Sequence, residues 1–158
     1  MRVLKIIEGT SVDGPGLRTS VYLAGCGHHC PGCHNPQSWD PLGGTVMDVD
    51  HIMRVIIDNE APVTLTGGDP LQHPDVLQLA RRIRHEGLNL WCYTGYTWEE
   101  IAAAPRLMAV ASLCDVVVDG RFVLAQRDTS LVFRGSRNQR IINVPATLAT
   151  GTVTLFPL

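Results

Sequence analysis

Val63-Thr64-Leu65-Thr66-Gly67-Gly68-Asp69-Pro70 opens the segment that decides the fold. Its first four residues favour a pleated, buried surface and read as a strand, which the glycine pair and Asp69-Pro70 then stop. Pro74 and Asp75 open a helix with Val76, Leu79, Ala80 and Ile83 on its inward face and Gly87 at its end. Leu88 to Tyr93 is a second short apolar run. Strand, helix and strand within about 30 residues make a βαβ unit, and such a unit places its two strands parallel.

The alternation extends in both directions. Strand-like runs occur at Met1 to Ile7, Thr19 to Leu23, Val116 to Val118 and Leu131 to Phe133. Asp48 can cap a helix whose Ile52, Val55 and Ile56 form one face and which stops before Pro62. A third helix runs from about Trp98 to Ala104, is interrupted by Pro105 and resumes as far as Ser112. The expected class is α/β, with a mostly parallel sheet and crossover helices. An eight-stranded barrel typically takes about 250 residues, so a chain of 158 residues is expected to form an open, partial β/α barrel. Residues 142–158 have no clear assignment; Pro145 and Gly151 suggest a loop and a short terminal strand.

Composition narrows the function classes. A chain 45% apolar and 18% charged reads as one compact domain spanning residues 1–158. No apolar run approaches the roughly 20 residues of a membrane span, and Met1 to Thr10 lacks a secretory pattern. A cytoplasmic protein is expected. The net charge of -2 carries no basic block, so neither nucleic acid nor a membrane surface is indicated as partner.

Parallel sheets hold their ligands at the carboxyl ends of the strands, and there the unusual motifs fall. Gly25-Cys26-Gly27-His28-His29-Cys30-Pro31-Gly32-Cys33-His34-Asn35 follows one strand; Gly67-Gly68-Asp69, Thr94-Gly95-Tyr96 and Asp119-Gly120-Arg121-Phe122 follow three others. Cys26, Cys30 and Cys33 have the spacing C-x3-C-x2-C, on a glycine-rich loop expected to curl the three thiolates toward one point. Soft thiolates select iron-sulfur clusters or zinc. Three ligands would leave one iron of a four-iron cluster open, whereas a closed zinc site needs a fourth ligand, for which His28, His29 and His34 are candidates. The residues alone leave both readings standing. Gly67-Gly68 is likewise either a tight turn or a backbone ledge for the amino-acid end of a small zwitterion. Cys92 and Cys114, in apolar surroundings, read as core, and His29, His51, His73 and His85 as surface or core. Tyr96 and Trp98 read as aromatic packing.

These motifs resemble those of the radical S-adenosylmethionine enzymes and, within them, the anaerobic ribonucleoside-triphosphate reductase-activating proteins. The resemblance rests on Val12-Asp13-Gly14-Pro15-Gly16-Leu17-Arg18-Thr19, on the cysteine loop with its Pro31-Gly32, and on Gly67-Gly68-Asp69-Pro70-Leu71. Thr94-Gly95-Tyr96, Val118-Asp119-Gly120-Arg121-Phe122 and Arg134-Gly135-Ser136 with Asn138-Gln139 extend it to about residues 12–140. Arg121 stands where Lys is common, and residues 142–158 match nothing.

The resemblance implies a partial barrel of the radical enzyme type. It implies a 4Fe-4S cluster on Cys26, Cys30 and Cys33, with S-adenosylmethionine chelating the fourth iron. Gly32 and His34 would lie beside that cofactor, Gly67, Gly68 and Asp69 would hold its amino group, and Asp119 and Arg121 would touch its polar groups; for the last two a salt bridge to a helix is the alternative. The implied activity is reductive cleavage of S-adenosylmethionine to place a glycyl radical on the anaerobic reductase, with an electron donor of flavodoxin or thioredoxin-like type. An activator of another glycyl-radical enzyme, of formate-lyase type, and a non-catalytic zinc or iron-sulfur module remain as rivals.

Overall fold

Hairpin geometry starts the sheet and crossover helices continue it. The structure, a computed structural model, describes residues 1–158. β1 (Arg2–Thr10) and β2 (Arg18–Leu23) pair antiparallel, with β3 (Thr45–Val46) antiparallel on the outer side of β1. α1 (Val49–Asn59) leads to β4 (Val63–Gly67), which lies parallel to β2. α2 (Val76–His85) leads to β5 (Leu90–Tyr93), parallel to β4, as the βαβ reading requires. α3 (Trp98–Ala102) and α4 (Pro105–Ala111) carry the chain to β6 (Val116–Asp119), parallel to β5. β7 (Arg140–Asn143) then returns antiparallel to β6, and α5 (Val144–Thr150) follows. The order across the seven-stranded sheet is β3-β1-β2-β4-β5-β6-β7, so β3 and β7 form opposite edges and the sheet stays open. Parallel order is confined to the four central strands.

Successive residues of a strand face opposite sides, and the two sides here are packed differently. Leu23, Leu65, Cys92, Val117 and Ile142 face the helices and join Ile52, Ile56, Leu79, Ile83, Leu107 and Val110 in a core of 24 buried residues. Cys114 belongs to the same core, and Cys92 and Cys114 pack thiol to thiol, in line with the core reading of both. On the other side Trp91, Val116, Val118 and Ile141 form a smaller cluster closed by Phe133 and Phe156. Both rings meet Trp91 edge-on, at centroid distances of 5.6 and 5.4 Å.

The structure corrects two expectations. Leu131 to Phe133 is not a strand: Val132 is exposed and Phe133 has a φ of 62°, a left-handed conformation that ends any extended run. Its apolar residues are there to bring the Phe133 ring onto Trp91, not to pair with a neighbour. Residues 144–150, expected as loop, form α5. Pro145 occupies its first turn, the Asn143 side chain accepts from the Ala146 amide at 3.1 Å, and Gly151 closes it at a φ of 73°. Proline and glycine here punctuate a helix. The short terminal strand is a single bridge, Ile142 to Leu155.

Elsewhere the end signals act as expected. Asp48 caps α1, its carboxylate accepting from the His51 amide at 2.7 Å. Pro105 separates α3 from α4 as the first-turn residue of the latter. No helix is long and apolar enough to cross a membrane.

Candidate functional site

The carboxyl ends of β2, β4, β5 and β6 meet at a cleft of about 670 Å³, within the range of about 300 to 1,000 Å³ usual for small-molecule sites. Cys26, Cys30, Cys33 and His34 line it from the cysteine loop, Gly67, Gly68 and Asp69 from the β4 end, Thr94 and Gly95 from the β5 end, and Gly120 and Phe122 from the β6 end. All four motif loops therefore share one wall system. A strap from Val123 to Gln139, which includes a turn of 3-10 helix at Leu124–Gln126, packs Phe133 on the Trp91 face of the sheet and adds Leu131, Phe133 and Arg134 to the lining.

The three cysteines are free and half-buried. The loop brings them to one cleft without gathering them on one point: no three His, Cys, Asp or Glu side chains converge tightly enough to hold a single ion. Cys26 lies three residues past the end of β2, where its amide donates to Trp39 O at 3.1 Å, while Cys30 and Cys33 share a separate turn closed by Cys33 N to Cys30 O at 3.0 Å. Backbone amides face the sulfurs. Asn35 N donates to Cys33 Sγ at 3.4 Å, and burial pushes the Cys26 thiol up against the opposing pull of the His28 and His29 amides.

Gly67 and Gly68 turn out to be needed by the protein's own backbone. Gly67 has a φ of 102°, and a Cβ there would lie 2.5 Å from the amide and carbonyl of Leu23. A Cβ on Gly68 would collide with the Gly25 carbonyl. The ledge is thus packed hard against the root of the cysteine loop, and Gly68 N to Leu23 O and Asp69 N to Gly25 O, each 2.8 Å, fasten it there.

Asp69 is 2% exposed and fully engaged. Oδ1 accepts from Leu71 N at 3.0 Å, and Oδ2 from Thr94 Oγ1 and Gly95 N at 3.0 Å and from His28 Nε2 at 2.6 Å. Asp119, 1% exposed, accepts from Trp98 N at 2.8 Å at the start of α3 and pairs with Arg140 at 2.6 Å; it does not line the cleft. Arg121 pairs with Glu100 of α3 at 2.6 Å. At Arg121 the structure forms the helix salt bridge, whereas Asp119 bridges to Arg140 of β7 and meets α3 through the Trp98 amide. Gly32 also lies off the cleft, against the Leu124 side chain of the strap.

Four features escaped the sequence. His28, a candidate zinc ligand there, has its Nε2 committed to Asp69. His29 instead stacks on Trp39 at 4.5 Å. Tyr22 donates to Asp13 at the far end of the cleft, and burial with that bond pushes its phenol well up. The Arg134-Gly135-Ser136 and Asn138-Gln139 segments form a knot: Gln139 Oε1 accepts from the amides of Gly135 and Ser136, and Gln139 Nε2 donates to Gly120 O at 3.0 Å, tying the strap to the β6 end. The amide-bearing residue three or four places after a Gly-Ser turn is the one signal that pointed to this.

Residues 12–142 match a family model described as a 4Fe-4S single cluster domain. The chain is 42% identical over 139 residues to the anaerobic ribonucleoside-triphosphate reductase-activating protein of Escherichia coli (strain K12), an alignment covering 81% of this chain and 89% of that protein. With the protein of the same name from Haemophilus influenzae the identity is 35% over 153 residues, 89% of this chain and 97% of the other. With that of Enterobacteria phage T4 it is 31% over 142 residues, 82% and 86%.

Proposed function

The chain belongs to the family of anaerobic ribonucleoside-triphosphate reductase-activating proteins, and from that premise we propose that it is a radical S-adenosylmethionine enzyme that places a glycyl radical on the anaerobic reductase. The whole chain acts as one domain, an open β/α barrel of the radical enzyme type. The observation that carries the reading is the meeting of three free thiols with the Gly67-Gly68 ledge in one cleft.

The residues fit the groups the family implies. Three soft thiol donors, two of the sulfurs faced by backbone amides, suit an iron-sulfur cluster. The matched family model, a 4Fe-4S single cluster domain, favours a cluster over a single zinc ion. Cys26, Cys30 and Cys33 would hold the cluster. The backbone of Gly67 and Gly68 would grip the amino-acid end of S-adenosylmethionine, with His34 and Cys33 beside it. Asp69 would contribute by holding the ledge, its oxygens being spent on four donors. Asp119 would act at one remove, fixing Arg140 and the start of α3.

A cluster held by Cys26, Cys30 and Cys33 would, when reduced, supply the one electron for reductive cleavage of S-adenosylmethionine, and with it the carbon radical needed to take a hydrogen from a glycine. The chain's own residues orient and enclose. Phe122, Leu131 and Phe133 line the cleft with apolar surface that keeps water from a reactive radical. The open sheet edge suits a macromolecular substrate, whose glycine loop completes the enclosure. A flavodoxin or thioredoxin-like donor would supply the electron, and free thiols are in keeping with a reducing compartment such as the cytoplasm.

The test is anaerobic incubation of reconstituted protein with dithionite, S-adenosylmethionine and the anaerobic reductase of the same organism. The expected result is brown protein, 5'-deoxyadenosine, and a glycyl radical on the reductase by electron paramagnetic resonance. Colourless protein with one zinc and no 5'-deoxyadenosine overturns the radical reading. A radical formed on a formate-lyase-type enzyme but not on the reductase moves the assignment to that partner.

A further inference from the structure

Between Cys26 and Cys30 the loop has to be held to the rest of the rim by something other than the strand end. Backbone bonds fasten it only at Gly25 and Cys26. Beyond them two side chains cross the gap in opposite directions. Gln72, from the turn after Asp69, accepts from the Gly27 amide at 2.7 Å. His28 reaches the other way. Its side chain is 5% exposed and its Nε2 lies 2.6 Å from Asp69 Oδ2, a hydrogen-bonding distance.

The ring fits its place closely. A Cβ on Gly95 would collide with His28 Cδ2 and lie 2.8 Å from Nε2, so the imidazole rests on the bare backbone of the Thr94-Gly95-Tyr96 loop. Tyr96 meets it edge-on at a centroid distance of 4.8 Å. One side chain thus touches three of the four rim loops at once: its own, the Gly67–Asp69 ledge through Asp69, and the β5 loop through Gly95 and Tyr96.

We propose that His28 is a positioning residue that holds the cysteine loop at a fixed distance from the Gly67-Gly68 ledge, so that the group on the thiols and the amino-acid end of the cofactor meet in register. This rests on the function proposed above. A partner of this kind orients ligands without being one, and its loss typically costs on the order of 10- to 100-fold in affinity or activity. The hydrogen bond to Asp69 and the contact with Gly95 are both needed, which separates the role from simple space filling.

His28→Leu fills the space without a donor, and His28→Gln keeps an N–H that can reach Asp69. Each reconstituted variant is compared with wild type for iron content, thermal midpoint, S-adenosylmethionine affinity, and the change in the reduced cluster's paramagnetic spectrum on adding that cofactor. The expected result is full iron and an unshifted midpoint in all three, with affinity lowered roughly 10- to 100-fold and the spectral response weakened in His28→Leu, and largely restored in His28→Gln. Gly95→Ala, which pushes the ring aside, should reproduce the His28→Leu defect, and the double variant should be no worse than either single one, since both remove the same contact. Wild-type affinity and spectral response in His28→Leu overturn the inference. So does loss of iron in both His28 variants, which would make His28 a ligand or a folding residue. A wild-type protein without any spectral response overturns the functional reading itself, which keeps the two failures distinct.

Discussion

Arg18 and Asp69 are buried ionisable groups of opposite type, and each is held by several hydrogen bonds. Arg18 is 2% exposed and has no carboxylate within ion-pair distance. It donates to Thr64 Oγ1 at 2.8 Å, Val63 O at 3.0 Å and Asn89 Oδ1 at 2.8 Å, and lies over the Trp91 ring at 5.3 Å. Burial lowers its pKa to about 10, so it remains charged at neutral pH and staples the amino ends of β2, β4 and β5. Asp69 does the same at the carboxyl ends. Cys30 is different in kind: it is half-buried and outside the packed core. Cys30→Ala is therefore expected to abolish cluster loading, read as lost iron and visible absorption, while shifting the thermal midpoint by less than about 2 °C, as surface substitutions do. A variant that still cleaves S-adenosylmethionine removes Cys30 from the ligand set. At this scale the cysteines were legible because their spacing has chemical meaning; the jobs of Arg18, Asp69 and His28 were not, because each depends on partners 25 or more positions away.

Among the elements, α3 shows how a short helix is secured. It has only five residues and begins with a capping box, in which Glu100 N donates to Thr97 Oγ1 at 3.2 Å and Thr97 N to Glu100 Oε1 at 3.0 Å. Arg121 beside Glu100 holds its carboxyl down at about 2, against an ordinary 4.5. Because the folded pKa is depressed, the stabilisation is present above pH 4.5 and is lost as pH falls through about 2. Wild type is accordingly expected to be more stable than Glu100→Gln at neutral pH, with the urea midpoints of the two converging across that acid window; a gap that stays constant with pH would show that the cap, and not the charge, carries the effect. Both box residues stand at the spacing a sequence reading looks for. The failures, at Leu131 to Phe133 and at α5, arose where apolar or Pro/Gly residues serve two possible structures and only the packing partner selects one. Phe133 was claimed by Trp91, and Pro145 by a helix that Asn143 caps.

Over the whole molecule, the net charge of -2 conceals a separation. The strap and its flanks carry Arg121, Arg127, Arg134, Arg137 and Arg140 against Asp128 alone within residues 121–140. Arg121 and Arg140 are paired with acidic residues of the body, but Arg127 and Arg137 are exposed, flank the backbone bridge between Arg127 and Ser136, and have no ion pair. The strap that lines the cleft thus presents positive charge beside the surface that the reductase would cover. Arg127→Glu with Arg137→Glu is expected to slow radical transfer to the reductase on the order of tenfold at low salt, with less effect at high salt. Cleavage of S-adenosylmethionine without the reductase should be unchanged. Equal rates of transfer at low salt would take the strap out of the docking surface.

Sequence by itself determined the α/β class, the βαβ core, the helix ends at Asp48, Pro105 and Gly87, and the loops that carry the chemistry. These follow from local rules: residue periodicity, end signals and the few residue types that can bind a given group. Chain length already pointed to an open sheet; only the tertiary structure decided that residues 140–143 close its edge as an antiparallel strand and that residues 144–150 form a helix. It also decided that the glycine ledge is packed against the cysteine loop, with Asp69 and His28 as the join. Those outcomes depend on which distant surfaces can be buried together, and a buried carboxylate, a bare glycine backbone and an imidazole acquire their meaning only when the fold brings them within a few ångströms.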